Sequence, residues 1–544
     1  MAIIKGNIVD IHTREIYLGR LIVENGTITK IERCEQDGGD DVLAGYIIPG
    51  FVDAHVHIES SMVTPVVFGD VVRRYGTVAT VSDPHEIGNV LGCEGVAFML
   101  RNAEKSPIKI HFSIPSSVPS TPFDVVGSEI SPSDVERMAK SGRFVALSEV
   151  MNVPGVLYDD ESVDAKINAA REAGLPIDGH APLLGGDDLK KYAGKGISTD
   201  HECTVMEEAL EKISHGIKIL IREGSAAANY ANLSGLIASN PRDVMFCCDD
   251  VHLDDVFRRG HIDNIVRRAV ADGYNLFDVL AIASKGAVEH YKLDVGLLRE
   301  GDKADFIVVD NLTDFNTQRL YIDGELCYDA SEPVKSVNQP FISLNFFNHE
   351  PISIEDIANV VSSTIPIVEL IEDEIVTRRG DYTPSVAVSN LESDSESDLA
   401  KLVYINRYTN GRPQVAYCRG FGLKRGAFAS TIAHDSHNIV AVGMSDAELT
   451  EAINGVIAQH GALSVAYDGV VESLPLPIAG IMSDCKGEEV AAKYEHLTSI
   501  IKALGSPLHA PFMTLSFLSL VVIPDIKIGE KGLFDYSSFN WLES

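Results

Sequence analysis

The stretch PGFVDAHVHIESSM, residues 49–62, ends an apolar β-like run on His55 and His57 and then turns polar through Glu59, Ser60 and Ser61. Side chains two apart on a strand share a face, so the two imidazoles project together. From this run outward, residues 50 to about 290 alternate short strand candidates with amphipathic helical stretches, as repeated βα units do. The strand candidates are YIIPGFVDAH (46–55), TVATVSD (77–83), IKIHFSIP (108–115), RFVALSE (143–149), LPIDGH (175–180), GISTDH (196–201), IKILIRE (217–223) and DVMFCCDD (243–250). Helical segments such as EGVAFMLRNAEKS (94–106), SPSDVERMAKS (131–141) and ESVDAKINAAREAG (161–174) lie between them. Eight βα units in about 240 residues predict an α/β fold built on a (β/α)8 TIM barrel, with an open doubly wound sheet as the alternative.

Chemistry in such a barrel sits at the carboxyl ends of the strands, so the last polar residues of each strand belong to one site. They are His55 and His57 on the first, Glu149 on the fourth, His180 on the fifth, His201 on the sixth, and Asp249 with Asp250 on the eighth. A lone strand-end histidine is commonly a hydrogen-bonded structural residue. Four imidazoles with Glu149 and Asp249, spread over five strands, instead make a mixed nitrogen and oxygen ligand set for one or two divalent first-row cations.

The 544 residues exceed one ordinary core and predict two or three domains. We place boundaries at 1–49 and 298–345, two β-rich parts of one β-sandwich, 50–297 for the barrel and 346–544 for a C-terminal α+β domain. The second β-rich part holds GLLREGDKADFIVVDNL (296–312) and QRLYIDGELCYD (318–329). The C-terminal domain holds NIVAVGMS (438–445), GALSVAYDGVVESLPLPIAG (461–480) and the acidic NLESDSESDLAK (390–401), which reads as an exposed loop.

Lys and Arg number 45 against 79 Asp and Glu, a net charge of −34. That surface repels phosphate backbones and anionic membranes, and no basic stripe offsets it, so neither nucleic acid nor membrane is an expected partner. The start, MAIIKGNIVDIH, has charges at Lys5 and Asp10 and reads as neither signal peptide nor anchor. The run FLSLVVI near residue 520 is far too short to span a bilayer. A cytoplasmic location is expected, and eight cysteines without C-x-x-C spacing fit reduced thiols.

The order H-x-H, acid, His, His, Asp, followed by KADFIVVD (303–310), resembles the amidohydrolase superfamily. Within it, PGFVDAHVHIESSMVTP (49–65), SDPHEIGNV (82–90), SEVMNVPGV (148–156), DGHAPLLGG (178–186), STDHECT (198–204), REGSAA (222–227), CCDD (247–250) and AHDSHNIVAVG (433–443) resemble the adenine deaminases. The resemblance implies a composite β-sandwich around a metal-dependent barrel. It implies hydrolysis of free adenine, as small-molecule substrate, to hypoxanthine and ammonia, and a binuclear Mn2+ or Fe2+ centre, with Zn2+ also compatible. A homo-oligomer, a dimer, is the expected assembly. Many cyclic-amide hydrolases of the superfamily bridge two metals with a carboxylated lysine. The fourth strand here ends in Glu149 with no lysine nearby, as in adenine deaminases, which makes Glu149 the bridging ligand.

On that basis His55, His57 and Asp249 hold one cation, His180 and His201 the other, and Glu149 spans both. A metal-activated hydroxide would attack C6, with Asp249 as base and then acid. A donor to ring N1 is needed, and Glu59, His85, Glu86 and Glu223 all sit in strand-end loops. Asp250 is assigned to orienting the base. Ser60 and Ser61 either bind the purine edge or cap a helix beginning near Pro65. His434, Asp435 and His437 line the pocket, hold an additional metal, or form a polar turn. HIE at 57–59 matches half of the other deaminase signature, but no P-C-x-x-C follows, so that class is set aside. A cyclic-amide hydrolase and a barrel without catalysis remain the alternative readings.

Overall fold

The computed structural model describes residues 1–542 apart from 35–41, 226, 335–343, 372–373 and 385–389. The run 46–55, read as one strand, is two. Val42–Pro49 belongs to a seven-stranded sheet, and Phe51–His57 opens the βα region. Gly50 makes the passage between them, because a Cβ there would lie 2.1 Å from a methyl of Val78. No larger residue fits so close an approach.

The seven-stranded sheet runs Glu325–Asp329, Thr317–Ile322, Phe306–Val309, Val42–Pro49, Ala2–Asp10, Glu15–Glu24, Thr27–Arg33. Its members come from both sides of the βα region. Alternation buries Ile4, Ile8, Leu21, Val23, Ile28, Ile47, Phe306 and Val308 in a small core of their own.

Each of the eight strand candidates overlaps an observed strand. Phe51–His57, Thr77–Ser82 and Lys109–Phe112 pair in parallel, as do Leu147–Val150 with Ile177–Gly179, and Thr199–Asp200 with Lys218–Arg222 and Val244–Cys247. The Ser148 N–H donates to the Ile114 carbonyl at 2.8 Å and the Ser198 N–H to the Ile177 carbonyl at 2.8 Å, joining the three groups. Asp249–Asp250 then pairs in parallel with Val56–His57, returning the order to its first strand. Every residue of Phe51–His57 is buried, as a parallel strand covered by helices on its outer face requires. The helix Pro132–Lys140 starts from a Ser131–Asp134 capping box, and Glu161–Glu172 starts from an Asp160 cap, both within the segments read as helical.

The C-terminal part forms an eight-stranded, mostly antiparallel sheet ordered Thr377–Tyr382, Ile365–Leu370, Gln414–Arg419, Ala400–Ile405, Ile439–Gly443, Ala427–Ser430, Ala462–Tyr467, Val470–Pro475. The helix Asp446–Ala458, capped by Ser445, buries Leu449, Ile453 and Val456 against one face. The acidic run 390–401 is only partly an exposed loop. Leu391 and Leu399 are buried with Ile367 and Tyr417, and Lys401 is fully buried on Asp446, so its ends belong to the core. Ser483 donates to the Met62 carbonyl at 2.8 Å, and one hydrophobic cluster takes in residues of both the βα region and this sheet. Among the described residues no helix is long and apolar enough to cross a membrane.

Candidate active site

His55 and His57 face each other across 3.1 Å between their Nε2 atoms, and both are buried. Asp249 Oδ1 lies 3.5 Å from His55 Nε2 and 3.2 Å from His57 Nε2, with Glu149 Oε1 also 3.2 Å from His57 Nε2. The other oxygen of Glu149 faces a second pair, 2.7 Å from His180 Nδ1 and 3.3 Å from His201 Nε2. One carboxylate therefore sits between two groups of histidine ligand atoms.

Burial opposes charge on His57, but Asp249 and Glu149 outweigh it and hold the imidazolium well above its usual pKa. Burial and the neighbouring His201 push His55 the other way. Burial likewise opposes ionisation of Glu149 and Asp249. The histidines beside the first, and Arg222 with His55 and His57 beside the second, nevertheless keep both carboxyls well below the usual range.

The same cavity is lined by His85, Glu86, Asp250, His434 and Asp435, with an apolar wall from Ile375, Phe517, Leu520 and Ile523 of the C-terminal part. Glu86 opens the helix His85–Ala103, and its two oxygens are taken by His434 Nδ1 and His437 Nε2. The 434–437 segment is thus a clamp between the C-terminal part and the βα region, more than the plain turn it could have been. Asp250 accepts from the Ser60 hydroxyl at 2.5 Å, and burial raises its pKa. Glu59 is buried, accepts from the Ile87 N–H at 3.2 Å, and is pushed up to about 7 by burial.

Two expectations are corrected. Ser60 and Ser61 do not cap the helix Pro65–Val72: a 3-10 turn, Ile58–Ser61, intervenes, Ser61 donates to the Ile58 carbonyl, and the helix's Val66 N–H is taken by Asn102. Glu223 is not among the cavity-lining residues. Arg222 ends its strand pointing inward, so the next side chain turns outward, where Glu223 pairs with Arg268.

Over 99% of its length the chain is 45% identical to the adenine deaminase of Methanosarcina mazei, covering 98% of that protein. It is 47% identical to the adenine deaminase of a Sulfurovum species and 45% identical to that of Salinibacter ruber, each over 99% of this chain and covering 99% and 98% of those proteins. The chain belongs to the adenine deaminase family. Residues 46–327 match the amidohydrolase family, and residues 374–540 match the adenine deaminase C-terminal domain. Family membership brings the expectation of a divalent-metal centre, and the donor set fits one. His180 Nε2 is buried without a hydrogen-bond partner among the described residues, and the facing Nε2 atoms of His55 and His57 cannot both donate to one another. His55, His57 and Asp249, then His55, Glu149 and His201, and also His180, His201 and Glu202, each bring three ligand atoms within 4.8 Å of one another.

This adenine deaminase family member also uses residues the sequence reading passed over. Arg222 Nη1 lies 2.5 Å from both Glu202 Oε1 and Asp249 Oδ2, fixing two carboxylates at once. Asp53, Asp83 and Asp200 each accept, through one carboxylate oxygen, the backbone N–H two residues on, at His55 (3.2 Å), His85 (3.1 Å) and Glu202 (2.7 Å). Asp53 also accepts from the Cys248 N–H at 3.1 Å and Asp200 from the Ala181 N–H at 2.9 Å, so they tie neighbouring strand ends together. The D-x-H in DAH (53–55) and DPH (83–85) was the signal that could have found Asp53 and Asp83; Asp200 directly precedes His201 and lacks that spacing, and the Asp178 of DGH (178–180) instead accepts from the Thr199 and Tyr291 hydroxyls. All eight cysteines are unpaired thiols.

Proposed function

We propose that this chain hydrolyses free adenine to hypoxanthine and ammonia at a binuclear Mn2+ or Fe2+ centre at the mouth of a closed (β/α)8 barrel. The observation that carries the reading is Glu149, with one oxygen on each of two histidine groups. His55, His57 and Asp249 would hold one cation and His180 with His201 the other. Such cations, when bound, lower the pKa of coordinated water toward about 7 and so supply a nucleophile at neutral pH.

The chain's own residues do the rest. Asp249 Oδ2 is fixed by Arg222, which leaves Oδ1 toward His55 and His57, where it takes the proton of the attacking water and passes it to the departing amino group. Burial opposes charge on His85, but Asp83 and Glu86 outweigh it, and Asp83 holds its Nδ1 at 2.8 Å. Its Nε2–H is then the donor to ring N1 as charge builds there. Glu86, with both oxygens engaged, positions rather than reacts. Asp250, steadied by Ser60, borders the base, and the apolar wall excludes water from it. The test is to strip the protein with a chelator, reload it with Mn2+, and follow adenine loss with ammonia release. Metal-dependent formation of hypoxanthine is expected, and turnover of hydantoins or dihydropyrimidines in place of adenine would overturn the reading.

A further inference from the structure

The groups that touch the metal ligands account for only one side of the cavity. On the other, Asp435 is 3% exposed, yet its Oδ2 has no hydrogen-bond partner among the described residues, and its Oδ1 is 3.5 Å from His85 Nε2. His434 is 2% exposed, its Nδ1 is held by Glu86, and its Nε2 is likewise without a partner. A buried carboxylate oxygen and a buried ring nitrogen left unpaired each cost free energy unless a ligand satisfies them.

The surrounding chain holds both in place. The His434 ring stacks on Phe517 with centroids 4.8 Å apart and 16° between planes, the Ser436 carbonyl accepts from Tyr408 at 2.7 Å, and the Asn438 amide donates to the Val125 carbonyl at 2.8 Å. Burial opposes charge on His434, but Glu86 outweighs it and lifts the imidazole to about 9, so Nε2 carries a hydrogen at neutral pH. The C-terminal part therefore offers a pure acceptor, Asp435, beside a donor, His434.

Resting on the adenine-deaminating reading, the geometry points to Asp435 and His434 as the residues that grip the imidazole edge of the purine, selecting the free base over its N9-substituted forms. That edge of the free base carries one N–H and one bare nitrogen, the complement of a carboxylate beside an imidazolium. His85 stands between Asp435 and Glu149, its Nδ1 3.7 Å from Glu149 Oε1, so a flat ring lying along it would reach from the cations to Asp435. A substituent on N9 removes the hydrogen that Asp435 accepts and leaves the carboxylate buried and unpaired, and sites built to pair a substrate hydrogen reject analogues lacking it strongly.

The experiment compares adenine, 9-methyladenine and adenosine with Mn2+-loaded parent protein and with Asp435→Asn, measuring kcat, KM and bound metal on the same samples. The parent is expected to favour adenine over 9-methyladenine by at least about a hundredfold in kcat/KM. Losing a charged hydrogen-bond partner should raise the adenine KM of Asp435→Asn by about ten- to a hundredfold, with kcat within a few-fold, metal content unchanged, and a smaller gap between adenine and its methyl analogue. An unchanged KM, a loss of metal and kcat at constant KM, or a parent that takes 9-methyladenine as readily as adenine overturns the inference while leaving the deaminase reading intact. The methylated analogue needs no folded variant to give its answer. A metal-loaded parent that leaves adenine untouched overturns the deaminase reading, and this inference with it.

Discussion

Replacing Asp249 by Asn separates proton transfer from metal holding. Asp249 sits at φ +57°, in the left-handed region where Asp and Asn are the best tolerated residues after Gly, so Asn enters without the strain of about 1–2 kcal/mol that Ala would bring. Asn keeps one carbonyl oxygen but loses the basic site. Arg222, 2.5 Å from Oδ2, competes for that oxygen, so metal affinity should fall while His55, His57 and Glu149 still hold the cation. Assays in excess Mn2+ restore occupancy and expose the chemical defect alone. General acid–base catalysis contributes about 10² to 10⁴-fold, so kcat should drop by at least a hundredfold at full metal content. His55→Ala, by contrast, should lose metal and activity together. A fully metallated Asp249→Asn protein with nearly parental kcat would refute Asp249 as the shuttle and pass the role to another cavity group.

Glu149→Gln removes the charge that holds two cations close, so elemental analysis should find metal falling from about two per chain toward one or none; two metals with normal turnover would sink the bridging assignment. Gly50→Ala forces a Cβ to 2.1 Å from Val78 and should cost on the order of 1–3 kcal/mol, seen as a lowered urea midpoint; an unchanged midpoint would mean the two sheets separate there without strain. Lys527 is fully buried, donates to the Ile375 carbonyl, and is pushed down to about 7 from 10.5 by burial. Between those values the unfolded chain binds the extra proton, so stability should rise with pH across that window by up to about 1.4 kcal/mol per unit. Lys527→Met should flatten the rise, and equal slopes in parent and variant would refute it.

The strand ends were readable because burial and chemistry coincide there: apolar runs stopping on His, Glu or Asp mark where a parallel strand meets the cavity. Adjacent residues were harder. Asp249 and Asp250 both line the cavity because regular pairing breaks at Cys248 and Asp249 turns left-handed, which alternation cannot anticipate. Glu202 reaches His201 because Thr199–Asp200 has already ended and Asp200 captures the Glu202 N–H. Just past Arg222, the last residue of Lys218–Arg222, alternation still holds and sends Glu223 out to Arg268. The clamp of His434 and His437 on Glu86 joins residues about 350 positions apart, a tertiary contact with no local signature.

The most direct measurement is ammonia and hypoxanthine formed from adenine by chelator-stripped protein, before and after reloading with Mn2+. The predicted result is no product from the stripped protein and equal amounts of the two products after reloading, with cyclic amides untouched by either. Product formation that ignores the metal, or a reloaded protein that opens cyclic amides and leaves adenine intact, would contradict it.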